Sequence, residues 1–117
     1  MNNKKISIIG FSADENSSFL KGCSKAPPII MEAFHSDATN KFSENGIDLG
    51  IENLWTYQSF PNIPSSKQGF QLIHDTIKKE LNKGNRCISI GGDHSITYPI
   101  IDAYNHYFQN INILHFD

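Results

Sequence analysis

The chain is poor in the features that mark nucleic-acid binders, membrane spans and disulfide scaffolds. Ten Lys and Arg stand against twelve Asp and Glu, a net charge of -2, with no cluster of one sign on any expected face. A nucleic-acid groove needs a basic patch, so that class is excluded. Only two cysteines are present, Cys23 and Cys87, far apart and without CxxC or Cys/His spacing. They are too few for a disulfide framework, and a cytoplasmic location is expected. No apolar run approaches the roughly 20 residues that a bilayer-spanning helix requires. The apolar stretch after Lys4 and Lys5 is short, contains Gly10 and runs into Asp14 and Glu15. It reads as a strand, not as a signal peptide. Neither GxGxxG nor GxxxxGK(S/T) occurs, so the Gly91-Gly92 pair belongs to no known phosphate-cradling loop. Internal repeats and low-complexity linkers are also missing.

What remains is a chain of 117 residues with 38% hydrophobic and 19% charged residues, the composition of one folded domain. Residues 5–10 form the first expected strand, since Ile6, Ile8 and Ile9 are β-branched and Gly10 can end the run. A helix is expected from Ala26-Pro27-Pro28, because proline suits the first helical turn, to His35 or Ser36, with Ile30, Ala33 and Phe34 on one face. Between residues 37 and 64, Asn45-Gly46 marks a turn, and short strands are expected over 47–51 and 54–60. Phe70, Ile73, Ile77 and Leu81 draw one amphipathic stripe along a helix over 66–83, capped by Ser65 or Ser66 and stopped at Gly84. Residues 86–90 form a strand ending in Gly91-Gly92. A helix over 98–108 follows, capped by Thr97, with Pro99 in its first turn, burying Ile100, Ile101, Tyr104 and Phe108. A last strand is expected over 111–116. Strands alternating with helices indicate right-handed βαβ units and a mainly parallel sheet covered on both faces, an α/β fold.

In such sheets ligands sit beyond the carboxyl ends of the strands. His94 falls at one such end and Asp117 at the next. Glycine accepts dihedrals closed to other residues, so Gly91-Gly92 lets the backbone turn sharply and leaves room beside the main chain. A divalent first-row metal such as Mn²⁺ takes carboxylate, imidazole and water ligands, and His94 with Asp117 supplies one of each protein type. The chain stops on its last expected strand with no connection onward, which reads as truncation more readily than as a finished small domain.

Three stretches together resemble the ureohydrolases, the family of arginase, agmatinase and formiminoglutamase. The first strand, followed by Gly22-Cys23-Ser24-Lys25-Ala26-Pro27 and Ile29-Ile30, is similar to the family's early loop and helix start. Ile88-Ser89-Ile90-Gly91-Gly92-Asp93-His94-Ser95 looks like its Gly-Gly-Asp/Glu-His-Ser signature. Ile113-Leu114-His115-Phe116-Asp117 is similar to the strand leading into Asp-Ala-His-x-Asp, of which only the first Asp is present. The likeness spans nearly the whole chain, although residues 37–68 support it only by length and layout. It implies a three-layer α/β/α arginase-like fold, incomplete at the C-terminus, with residues 1–117 forming the N-terminal portion of a single domain.

By that resemblance His94 is a ligand of one manganese and Asp117 a carboxylate of a site holding two Mn²⁺. The implied reaction is hydrolysis of a guanidino or formimino C–N bond by a hydroxide bridging the metals, urea or formamide leaving. Asp93 and Ser95 orient the histidine or its turn and do not react. The substrate is a small guanidino compound, agmatine or arginine, with agmatinase preferred to arginase or formiminoglutamase, and the complete protein is a homo-oligomer. No catalytic residue is assigned. The rest of Asp-Ala-His-x-Asp, the later Asp-x-Asp and the downstream histidine and glutamate are missing, and Met31 stands where the family commonly has Arg. The chain alone is therefore expected neither to hold a metal pair tightly nor to hydrolyse anything. A non-catalytic remnant or split half needing a partner chain is the rival reading, and a small Rossmann-like nucleotide binder the weaker third.

The other side chains receive plainer readings. His35, His74, His106 and His115 have no partner at a recognisable ligand spacing and are read as surface or packing residues. Cys87 is read as a small buried hydrophobe, Cys23 as a loop residue, and Trp55, Tyr57 and Phe60 as loop packing.

Overall fold

The computed structural model describes residues 4–51 and 53–116. Strand β1 (Ile6–Phe11) lies between β2 (Trp55–Phe60) and β3 (Arg86–Gly91), both parallel to it, in the order β2-β1-β3. Ile6 stands beside Trp55 and Arg86, and Phe11 beside Phe60 and Gly91, so all three strands end at the same edge. Helix α1 (Ala26–His35) joins β1 to β2, α2 (Lys67–Asn82) joins β2 to β3, and α3 (Thr97–Tyr107) follows β3. The chain steps outward from β1 to β2 and then back across β1 to β3. Right-handed crossovers in opposite directions put α1 and α2 on opposite faces.

Side-chain alternation along β1 confirms the three layers. Ile9 and Phe11 pack with Ile73, Ile77 and Leu81 of α2 and Ala103 of α3 in the main core. On the other face, any side chain at Gly10 would collide with Pro27 of α1 and with Tyr57. Helix α2 begins where Ser66 Oγ accepts the Gly69 N–H at 3.2 Å and ends before Gly84, whose φ of +80° glycine adopts without strain. Trp55 packs edge-on against Phe34 and Phe60 stacks on Phe11, so the β2 aromatics are packing residues.

One buried polar group in the α2 face had no signal in the hydrophobic stripe. Glu80 is 2% exposed and accepts hydrogen bonds from Ser7 Oγ (2.6 Å), Lys83 Nζ (2.6 Å), Asn85 Nδ2 (2.9 Å) and Gln58 Nε2 (3.3 Å). Burial works to raise its pKa, but these four donors outweigh burial and hold it down at about 2. The cluster locks the helix to the start of β1, at the opposite end of the sheet from His94.

Five sequence expectations change. Residues 111–116 form no strand: they run without a ladder beside α3, with Leu114 80% and Phe116 84% exposed, so their apolar alternation meets no covering layer. Residues 47–51 likewise form no strand; the expected turn closes with Gly46 at positive φ, and only an isolated bridge joins Phe42 to Asp48. The buried side of α1 is carried by Pro27 and Met31, whereas Ile30 is exposed, because the short helix rests on the sheet through its N-terminal half. Thr97 is the first residue of α3 and not its cap, since a 3-10 turn over His94–Ile96 leads directly into the helix. In α3 the fully buried residues are Pro99 and Ala103; Ile100, Ile101 and Tyr104 are half-buried and Phe108 is exposed. Cys87 is half-buried, and burial pushes its thiol pKa up, which suits a packing residue and not a nucleophile.

Candidate metal-binding edge

The chain goes from β1 to β2 on one side and then back across to β3 on the other, so the crevice beyond the carboxyl ends of β1 and β3 is the topological switch point of the sheet. The loop after β1 and the turn after β3 meet there. Asp93 N–H donates to Ala13 O at 2.9 Å, and Asp93 Oδ2 accepts the Asn16 N–H at 2.9 Å. Its other oxygen accepts from Ser95 N–H (2.9 Å) and Ser95 Oγ (2.5 Å). Desolvation raises the Asp93 pKa, yet the bonds from Ser95 and Asn16 win and leave it below the usual carboxylate range. Asp93 is thus ionised and fully engaged as the clamp between two loops.

The glycine pair is required for a different reason than ligand access. A Cβ on Gly92 would strike the Ala13 carbonyl, and one on Gly91 would strike the Ile96 side chain. The space beside the backbone is filled by the β1 exit loop and by the core, not left open. Closely apposed loops then turn the next residue outward. His94, first in the 3-10 turn, is exposed on a depression of about 360 Å³ bordered by Ser89, Gly91, Gly92, Asp93, Ile96, Thr97 and Ile100. Asp93 and Ser95 build the turn that carries His94, and among the described residues neither bonds its ring.

The segment after α3 returns to this place. The His115 ring lies edge-on to that of His94, with centroids 5.7 Å apart, so two imidazoles meet at the edge of the sheet although the sequence reading treated His115 as packing. Asp117, the second expected ligand, lies outside the described residues. The loop after β1 contributes a second acidic residue: Asp14 Oδ2 accepts Ser24 Oγ and Gly22 N–H, both at 2.8 Å, and these bonds lower its pKa. Its position just past the end of β1 is the signal that the sequence carries for it. Both carboxylates are engaged in holding the loops, so among the described residues the side chains at this edge left for an ion are the imidazoles of His94 and His115, ligands that suit a divalent first-row metal.

Arrangement and sequence agree with known proteins. The family model described as the arginase family matches residues 4–117, and the chain belongs to that family. A mitochondrial arginase of Medicago truncatula is 30% identical over 122 residues, covering 95% of this chain and 36% of the relative. An agmatinase of Neisseria meningitidis serogroup C is 49% identical over 39 residues, 33% of this chain and 13% of the relative. The solved arginase from Medicago truncatula superposes with a TM-score of 0.87 at 30% identity, over 98% of this chain and 39% of that one. The fold is therefore arginase-like, and the chain spans about a third of the length of the arginases it matches.

Proposed function

We propose that this chain supplies the first part of the metal-binding edge of a manganese-dependent ureohydrolase, residues 1–117 being the N-terminal portion of one domain. His94 is the imidazole ligand in this reading and Asp117 the first carboxylate of a site for two Mn²⁺. The observation that carries it is the placement of His94 at the carboxyl end of β3, beside the β1 exit, where the Gly-Gly-Asp-His-Ser turn aims it outward. Bound manganese would lower the pKa of water, so that hydroxide is available to add to the amidine carbon near neutral pH. The protein's own residues fix where that happens. Asp93 anchors the turn, Gly92 admits the neighbouring loop, and His94 offers an imidazole free of intramolecular hydrogen bonds among the described residues.

The substrate class is a small guanidino compound. The two named relatives, an arginase and an agmatinase, support that class, and agmatine is the preferred member. Hydrolysis would release urea. With His94 and Asp117 alone from the expected ligand set, the chain by itself is inactive, and the complete protein is a homo-oligomer. Two free cysteines favour a reducing, cytoplasmic setting, and no described helix is long and apolar enough to cross a membrane.

Paramagnetic broadening tests the site separately from turnover. Substoichiometric Mn²⁺ should broaden the imidazole proton signals of His94 and His115 and leave that of His35 sharp. Broadening that spares His94 would overturn the assignment. Incubation of the chain with Mn²⁺ and arginine or agmatine should release no urea, and robust turnover would refute the claim that it is inactive alone. A calorimetric titration with nucleotides should show no heat of binding, which separates this reading from a Rossmann-like binder.

A further inference from the structure

The geometry points to a second metal site, on the helical face formed by α2 and α3: His74, Asp102 and His106 form a three-ligand site for a zinc-like divalent ion, independent of the manganese edge. Asp102 and His106 are four residues apart on α3 and so share a face, while His74 reaches them from α2. One ligand-competent atom from each lies within 4.8 Å of the other two. Around a tetrahedral ion with ordinary bond lengths such atoms sit about 3.4 Å apart, so a small inward movement of the side chains completes the site.

The His74 imidazole is already arranged as a ligand. His74 Nδ1 lies 3.0 Å from Asp75 Oδ1, and Gln71 Nε2 donates to the same oxygen at 2.9 Å. An ionised Asp75 accepts the Nδ1 proton, which leaves His74 Nε2 with a bare lone pair. That atom is buried without a hydrogen-bond partner and lies 3.8 Å from the Asp102 carboxylate. A carboxylate behind a histidine is the arrangement that orients imidazole ligands and raises their basicity. His106 Nδ1 donates to the Asp102 main-chain oxygen at 2.8 Å and lies 3.4 Å from Asp102 Oδ1, so this nitrogen faces the carboxylate and coordination exchanges its bond to the main chain for one to the ion. The two rings meet edge-on with centroids 5.4 Å apart.

An open cavity of about 480 Å³ borders the triad, with Lys67, Phe70 and Tyr98 also on its wall, and gives water access to a fourth coordination position. Two imidazoles and one carboxylate suit Zn²⁺ or Co²⁺, and the order of first-row affinities ranks both above Mn²⁺. The ion would bridge the two helices that cover one face of the sheet. Nothing in this site depends on the ureohydrolase reading, because no ligand is shared with His94.

The test is titration of the 117-residue protein with Zn²⁺ against a chromogenic chelator, together with the visible spectrum of bound Co²⁺. One tightly bound equivalent and a tetrahedral Co²⁺ spectrum are expected. His106→Gln changes an exposed side chain and should weaken binding about 100-fold while circular dichroism stays unchanged; Asp75→Asn, which removes only the orienting carboxylate, should weaken it about 10-fold. His35→Ala, at an exposed imidazole on α1 across the sheet, should leave Zn²⁺ binding unaltered. Zn²⁺ affinity that is insensitive to His106→Gln, or lost in His35→Ala, would overturn the proposal, as would failure of the wild-type chain to outcompete the chelator at micromolar Zn²⁺.

Discussion

Replacing Glu80 with glutamine should destabilise the fold in a way that depends on pH. The carboxylate is buried beneath α2, and its four donors hold its pKa at about 2 against an ordinary 4.5. That difference corresponds to about 3 kcal/mol of stability at neutral pH. Lys83, one of the donors, is half exposed, so solvent screening trims the figure to roughly 2–3 kcal/mol. The folded-state pKa is depressed, so the contribution is complete above about pH 6 and is lost as the pH falls through 4.5 towards 2. For a chain of this length the loss at pH 7 lowers the melting temperature by roughly 8–12 °C. Urea unfolding followed by far-ultraviolet circular dichroism, run on wild type and Glu80→Gln at pH 7 and pH 3, measures both quantities. The gap between the two proteins should shrink to less than half at pH 3. A gap below about 0.5 kcal/mol at pH 7, typical of a surface substitution, or one that does not change with pH, would refute the electrostatic account.

Three further outcomes are expected. Gly92→Ala should cost roughly 1–3 kcal/mol and loosen the Asp93–Ala13 hydrogen bond, visible as faster amide exchange at Asp93, because the added methyl meets the Ala13 carbonyl. Asp93→Ala removes a carboxylate that accepts from Ser95 and Asn16 and should cost roughly 1.5–3 kcal/mol by urea unfolding. Its pKa is depressed, so this loss too is largest at neutral pH and fades as the wild-type carboxylate protonates in acid. His94→Ala, at an exposed position, should change stability by less than about 0.5 kcal/mol while abolishing Mn²⁺ broadening of the His115 signal.

Much of the fold was legible because it depends on short-range order. The β-branched run ending at Gly10, the stripe of Phe70, Ile73, Ile77 and Leu81, and the Ser66 and Gly84 boundaries of α2 are local signals, and each element formed within a residue or two of its expected limits. The Gly-Gly-Asp-His-Ser turn was legible as a turn, but its cap is Asp93 and not Thr97, and its glycines answer to contacts with Ala13 and Ile96 that no local signal carries. The strand expected over 111–116 failed because an apolar alternation states what a segment can bury and not whether a neighbouring strand is there to receive it.

Residue types, periodicity and turn chemistry by themselves determined the three strands of the sheet, the helices between them and the position of a histidine just past the end of β3. Only the tertiary structure decided that Gly92 yields its space to Ala13, that Glu80 finds four donors, and that His74 faces Asp102 and His106 across two packed helices. Those contacts join residues remote along the chain, and their distances are set by how helices and loops pack on the sheet, which no spacing within a single segment encodes.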